Sequence, residues 1–300
     1  MNRVFSGQQA NCVIRTAILI VPLALAASCA QLRPSDPRIV AIGDLHGDYR
    51  AFETVMTRAG LMDGYGNWAG GKTILVQTGD IPDRGPDTRR IIEDLRALQE
   101  QALEAGGQVI TMVGNHDAMN VIGDLRYVHP GEYAAFVNKD SETARDRLWE
   151  EEKDRFTAWV REQEKGASDE EIKRRYYDEE MTPLGLAEHQ EAWAPDGEVG
   201  SWMVGNLTIA TVGDSLFVHG GTSAKYTAYT LEEINIMAAE ALMAQIRERE
   251  AIINDPLGPL WYRGLLREPC AEAESGIDGT SLTIEEELDI VLSHFGVEQK

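Results

Sequence analysis

The sequence predicts an α/β fold built on a parallel sheet, and three observations carry that prediction. Short apolar runs rich in β-branched residues alternate with helix-period segments over the first half of the chain. The first three of these runs each end in a glycine followed by Asp or Asn. The chain's 300 residues, 43% of them hydrophobic, are enough to bury one substantial core.

Taken in order, Arg38-Ile39-Val40-Ala41-Ile42 reads as a buried strand that ends in Gly43-Asp44. Asp48 is placed to cap a helix running to about Ala59, with Gly60 as its stop. Residues 73–77 form the next strand, ending in Gly79-Asp80. Asp87 opens a helix in which Ile91, Ile92, Leu95, Leu98 and Leu103 recur, and Gly106-Gly107 ends it. Residues 108–113 form the third strand, ending in Gly114-Asn115. Strand, helix, strand, helix, strand in that order implies right-handed crossovers. The loops after such strands then gather on one edge, where open α/β sheets bind ligands.

From about Gly131 to Glu198 the sequence is rich in Glu, Lys and Arg, and Trp149, Phe156 and Trp159 are spaced to share helix faces. This segment reads as a helical insertion, about 131–198, that lids or flanks the site. Strand-like runs follow at 200–204, 207–212 and 216–218, the last ending in His219-Gly220-Gly221. Residues 231–250 and 284–295 read as two further helices.

Residues 1–29 stand apart. They hold Arg3 and Arg15 and no acid, then an apolar run from Ala17 to Ala27, then Ser28-Cys29. A bilayer span needs about 20 apolar residues, and this run is shorter. A basic start, a short apolar core and small residues form a secretory signal. The stretch Leu25-Ala26-Ala27-Ser28-Cys29 resembles a bacterial lipobox, which makes Cys29 the expected lipidation site. The expectation is therefore an exported protein, periplasmic or held at a membrane by a lipid anchor, with a catalytic domain over 36–300. Beyond that segment, Cys270 alone remains, so the fold does not rest on an internal disulfide. The net charge of -22 repels polyanions and argues against a nucleic-acid partner.

The chemistry lies in Gly43-Asp44-Leu45-His46-Gly47-Asp48, Gly79-Asp80-Ile81-Pro82-Asp83-Arg84-Gly85, Gly114-Asn115-His116-Asp117 and the later His219. A phosphate-ester hydrolase must generate hydroxide, neutralise phosphoryl oxygens and protonate a leaving group. Two metal ions about 3.5–4 Å apart perform much of this. Oxygen and imidazole ligands without thiolates suit Mn, Fe or Zn. Asp44 and His46, two apart at a strand end, can reach one metal. Asp80 is the bridge candidate, and Asn115 and His219 can serve the second ion. His116 is placed as general acid, with Asp83 behind its ring and Arg84 as a planar fork for phosphoryl oxygens. Each motif alone has a bland alternative, such as a turn, a surface Asp83-Arg84 ion pair or a core histidine at 219. Their joint occurrence at strand ends does not. His129, His189 and His294 lack that support and read as structural or exposed.

With these residues in view, the chain resembles the calcineurin-like metallophosphoesterases, and among them the phosphoprotein phosphatases with their GDxHG, GDxxDRG, GNHE and HGG pattern. It is most similar to the Shewanella-like protein phosphatases. That likeness rests on Met119-Asn120, Gly123-Asp124-Leu125-Arg126-Tyr127, Glu132-Tyr133, Phe217-Val218-His219-Gly220-Gly221 and Gly258-Pro259-Leu260-Trp261-Tyr262-Arg263-Gly264. Asp117 stands where that pattern has Glu.

The resemblance implies a four-layer α/β/β/α sandwich. It implies Asp44, His46 and Asp80 on one metal, Asp80, Asn115 and His219 on the other, and Arg84 and Arg263 on the phosphate. It also implies a final His after one further strand. The sequence stops at Lys300, so the expectation is a truncated domain with a weakened second metal and little activity. His294 sits in a helical pattern and is a poor substitute. The leading expectation is a metal-dependent phosphoprotein phosphatase using a metal-activated hydroxide. The alternatives are a phosphoesterase acting on small molecules such as dinucleoside polyphosphates, and an inactive phosphate-binding lipoprotein.

Overall fold

The computed structural model describes residues 37–266 and 282–297. The expectations for residues 1–29, Cys29 among them, and for Cys270 lie outside the described residues. Among the described residues no helix is long and apolar enough to cross a membrane.

Strand β1 (Ile39–Ile42), helix α1 (Tyr49–Arg58), β2 (Ile74–Gln77), α2 (Thr88–Glu104) and β3 (Gln108–Thr111) alternate as the apolar pattern requires. The strands pair in parallel in the order β1-β2-β3, with Ile42, Gln77 and Thr111 level at their carboxyl ends. Helix α3 (Asn115–Val121) leaves β3 almost at once. Four helices follow: α4 (Pro130–Ala134), α5 (Ser141–Gln163), α6 (Asp169–Tyr176) and α7 (Leu186–Trp193). After α8 (Gly200–Val204), strands β4 (Ile209–Val212) and β5 (Ser215–Val218) form an antiparallel hairpin, and α9 (Leu231–Met243) and α10 (Ile284–Phe295) complete the described elements.

Strand alternation sorts the core into layers. Val40, Ile42, Leu75 and Val109 face the α1 and α2 side chains Phe52, Met56, Ile91, Leu95 and Leu98. The opposite faces, through Ile39, Ile74, Val76, Ile110 and Met112, pack on Ala210, Val212 and Phe217 of the hairpin. Helix α9 lies against β4, where Asn235 accepts from the Thr208 and Ile209 amides and donates back to the Ile209 carbonyl. The order is helices, sheet, sheet, helix, which is the α/β/β/α sandwich. Val113 N–H donates to the Leu207 carbonyl at 2.9 Å and joins the two sheets. That join brings His219, directly after β5, to the edge where the first three strands end.

Three local expectations are corrected. Residues 200–204 are helical, with the Ser201 and Met203 amides bonded four residues back to the carbonyls of Gly197 and Val199. Five residues are too few for apolar periodicity to separate helix from strand. Leu103 is exposed, and Ala102 is buried in its place. Buried positions 91, 95, 98 and 102 keep the three- and four-residue steps of one helix face, and 103 falls off it. Helix α9 ends at Met243 rather than near 250 because Gln245 turns into the left-handed region at φ 49°. The side chains of Gln245 and Arg247 then donate to the Val121 and Ile122 carbonyls at the end of α3. A helix terminus leaves such carbonyls without partners, so this turn satisfies α3 from outside.

Candidate metal centre

The three turns after β1, β2 and β3 are fastened to each other by backbone. Leu45 and His46 amides donate to the Asp80 carbonyl at 2.9 and 3.0 Å, and Gly47 N–H donates to Ile81 at 2.8 Å. The glycines permit this contact. A Cβ on Gly47 would sit 2.4 Å from the Gly85 carbonyl oxygen, and one on Gly79 would sit 2.3 Å from the Gly114 nitrogen. Buried Gln77 adds a side-chain tie, donating to the Gly79 and Gly43 carbonyls and accepting from Gly79 N–H.

The side chains converge on Asp80. Its Oδ1 accepts from the His116 amide at 2.8 Å, which leaves Oδ2 facing the site. Oδ2 lies 3.8 Å from His46 Nε2 and 3.4 Å from His219 Nε2. Two donor groups, His46-Asp80-His116 and Asp44-Asp80-His219, therefore share this one carboxylate. Asp44 Oδ2 is 3.5 Å from His46 Nε2, and Asp44 is half exposed at the mouth of the site.

Hydrogen bonds set the tautomers. His46 Nδ1–H donates to the Pro82 carbonyl at 2.9 Å, so Nε2 presents a lone pair, and this buried nitrogen has no hydrogen-bond partner. His219 Nδ1–H donates to the Thr78 carbonyl at 3.0 Å, which turns its Nε2 lone pair toward Asn115 Oδ1 at 2.8 Å. This imidazole nitrogen and amide oxygen, with the carboxylate and imidazole groups around them, form a donor set that suits a divalent metal. The close approach of His46, and then the nearby His219, lower the pKa of Asp44 against its burial. Burial disfavours a charged His46, yet Asp44, the Pro82 carbonyl and Asp80 outweigh it and raise its pKa.

His116 is held differently. Its Nδ1 lies 2.5 Å from Asp83 Oδ2, and an Arg84 guanidinium nitrogen stands 3.2 Å from its Nε2. A guanidinium donates only, so Nε2 accepts here and the Nδ1 proton lies toward Asp83. Although His116 falls within one donor group, a fixed positive charge against its outer nitrogen opposes a metal on that atom. The half-exposed Tyr127 ring lies 5.0 Å from the His116 ring, and its carbonyl accepts from Arg84 N–H. Asp83 is fully buried, which excludes a surface ion pair with Arg84.

The structure thus brings Asp44, His46, Asp80, Asp83, Arg84, Asn115, His116 and His219 together. Arg263 stays at the edge, its Nη1 donating to the Leu260 and Tyr262 carbonyls and lying beside Gly220. Among the other histidines, His129 caps α4, His189 is buried, and His294 is exposed on α10 with its ring on the Tyr229 carbonyl.

Sequence reasoning passed over Asp117. Fully buried, it accepts from the amides of Asp80 (2.6 Å), Gly114 (2.7 Å) and Ile81 (3.3 Å), pinning the second turn to the third. Burial, then the charge of Asp80, raises its pKa to about 8 against those three donors. The signal available was its place in the first turn of α3, where a carboxylate reaches back to the cap amide.

A family model described as calcineurin-like phosphoesterase matches residues 37–295. Shewanella-like protein phosphatase 2 of Arabidopsis thaliana is 36% identical over 210 residues, covering 66% of this chain and 50% of that protein. An uncharacterized protein of Schizosaccharomyces pombe is 32% identical over 239 residues, covering 76% of this chain and 58% of the other. Among solved structures, the cold-active protein-tyrosine phosphatase of a psychrophilic Shewanella superposes with a TM-score of 0.56 at 26% identity, covering 89% of this chain and 66% of that one. The chain spans less than two thirds of the length of each of these relatives.

Proposed function

The chain belongs to the calcineurin-like phosphoesterase family, and within it we propose that this protein is a metal-dependent phosphatase acting on phosphorylated proteins. The observation that carries the reading is Asp80 Oδ2, shared between the His46 and His219 imidazoles beside the His116–Asp83 pair. Asp44, His46 and Asp80 would hold one divalent ion, and Asp80, Asn115 and His219 a second, with Mn, Fe or Zn the metals this donor set suits. Bound there, the ions supply Lewis acidity for the phosphoryl oxygens and the attacking water.

The chain's own residues do the rest. Arg84 is exposed and can turn from His116 Nε2 onto a phosphate, where its fork matches two oxygens. His116 is then free to carry a proton on Nε2 and give it to the leaving oxygen. Asp83 keeps the other ring nitrogen occupied, so the transfer runs through Nε2 alone. Arg263, beside the His219-Gly220 turn, would need to swing off its loop carbonyls to reach the same phosphate. The acid-free, apolar N-terminal segment supports export, and Cys29 supports a lipid anchor.

The test is metal analysis of the purified protein together with hydrolysis of phosphoseryl, phosphothreonyl and phosphotyrosyl peptides, nucleotides and sugar phosphates, with added Mn²⁺. Tyr127, a half-exposed ring against His116, supports phosphotyrosyl peptides as the first to try. Metal-dependent turnover favouring peptides is the expected result. Preference for nucleotides would overturn the protein-substrate reading, and absence of bound metal would overturn the mechanism.

A further inference from the structure

We propose that Asn120 and Glu132 are positioning residues for proton donation by His116, acting through Asp83; this rests on the phosphatase reading above. In the step concerned, water forms the new bond to phosphorus and the ester P–O bond breaks with its electrons on the leaving oxygen. The Nε2 proton passes to that oxygen, leaving an alcohol and a neutral His116.

Asp83 is held at three points. Its Oδ2 lies against His116 Nδ1 at 2.5 Å, its Oδ1 accepts from Asn120 Nδ2 at 3.0 Å, and its backbone N–H donates to Glu132 Oε1 at 2.8 Å. The same Asn120 amino group donates to the His116 carbonyl at 3.0 Å. Both of its acceptors are oxygens, which fixes which way the amide points. One amide therefore ties the aspartate to the helix turn that carries the acid. All of Asp83, Asn120 and Glu132 are buried, at 0, 2 and 2% exposure.

Those anchors are needed for two physical reasons. Asp83 and Arg84 lie in the left-handed region at φ 72° and 67°. Non-glycine residues there are strained and persist only where the surroundings hold them. The terminal torsion of an aspartate is also broad, so its carboxylate plane is not set by the chain itself. Asn120 sets that plane, and Glu132 holds the backbone beneath it. Burial raises the Glu132 pKa to about 8, so a neutral amide is a close replacement that keeps the accepting oxygen.

The experiment uses the full chain with Asn120→Ala, Glu132→Met and Glu132→Gln. Turnover is compared on an alkyl phosphate and on p-nitrophenyl phosphate, whose acidic leaving group needs little protonation. Asn120→Ala and Glu132→Met should lower kcat on the alkyl ester by about 10–100-fold, part of the 10²–10⁴ a general acid supplies. Their loss on the nitrophenyl ester should be much smaller, with KM and metal content near the parent's. Glu132→Gln should recover most of the alkyl activity. Proton NMR gives a readout independent of turnover: the Nδ1–H signal of His116, identified by its loss in His116→Asn, should broaden or shift upfield in the first two variants. Equal losses on both esters, or an unmoved proton signal, would overturn the proposal. If Asn120→Ala does not fold, Asn120→Ser carries the same comparison. A parent that hydrolyses neither ester refutes the phosphatase reading, while the NMR arm still decides the positioning.

Discussion

Of the non-glycine residues with positive φ among those described, His46, Asp80, Asp83 and Arg84 lie in the site, and Gln245 lies elsewhere. Strain of this kind survives where hydrogen bonds over-determine a turn, and it commonly marks a place where side-chain direction matters more than backbone comfort. The consequences separate by residue. Asp80→Asn should lose metal, because the shared carboxylate is the one group both donor sets use. His116→Asn should keep its metal and lose turnover by about 10²–10⁴-fold, less for a nitrophenyl leaving group. Metal content by elemental analysis beside kcat on two esters checks both. A His116→Asn protein without metal would reassign that residue as a ligand.

At the scale of elements, the helices between residues 130 and 193 do two jobs. Helices α5 and α6 build a satellite core from Val160, Ala167 and Ile172 with Trp149 and Phe156 against it. Helix α4 instead presses on the site, Glu132 accepting from the Asp83 amide, and α7 backs it, with the His189 ring against Tyr133 and Phe136. Both His189 ring nitrogens lack partners, and burial lowers its pKa to about 4. The folded protein thus binds fewer protons here than the unfolded chain between pH 6.5 and 4. Stability should fall with pH across that window, by up to about 1.4 kcal/mol per unit, and level off below it. Glu132, raised to about 8, works in the opposite sense: stability is lost as pH rises from the ordinary glutamate range. The measurement is therefore the difference in urea-unfolding free energy between parent and His189→Leu at pH 7 and pH 4.5. The variant should gain relative to the parent at the lower pH, and a pH-independent difference would show His189 to be titrating normally.

For the molecule as a whole, metal should act as a staple. The donors come from the ends of β1, β2, β3 and β5, two sheets that also meet through apolar contacts and through the Val113–Leu207, Thr111–Asn206 and His219–Thr78 bonds. A ligand that binds only the folded state at 100 times its Kd adds about 2.7 kcal/mol of stability. For a chain of this size each kcal/mol is worth about 2–4 °C in Tm. Mn²⁺ added to chelator-treated protein should raise Tm by several degrees, and Asp80→Asn should abolish the shift. A shift retained in that variant would place the binding elsewhere.

Much of this was legible beforehand because it is local. The three parallel strands, the Asp48 cap and the helix over 284–295 follow from periodicity and single capping residues. The candidate donors followed from their places at strand ends, since a parallel sheet delivers all such ends to one edge. What the chain could not reveal locally is which partner each group would meet. The left-handed turns, the Asp80 and Ile81 amides on Asp117, the tie from Asn120 to Asp83 and the buried faces of Glu132 and His189 join residues 32 to 49 positions apart or from separate helices. Residues 244–250 went the other way for the same reason, their side chains bonded to the end of α3, whereas 200–204 is too short a run for periodicity to separate helix from strand. Periodicity records which face a residue turns inward. Only the closed structure decides whether an inward-facing polar group finds a hydrogen bond, a metal or nothing.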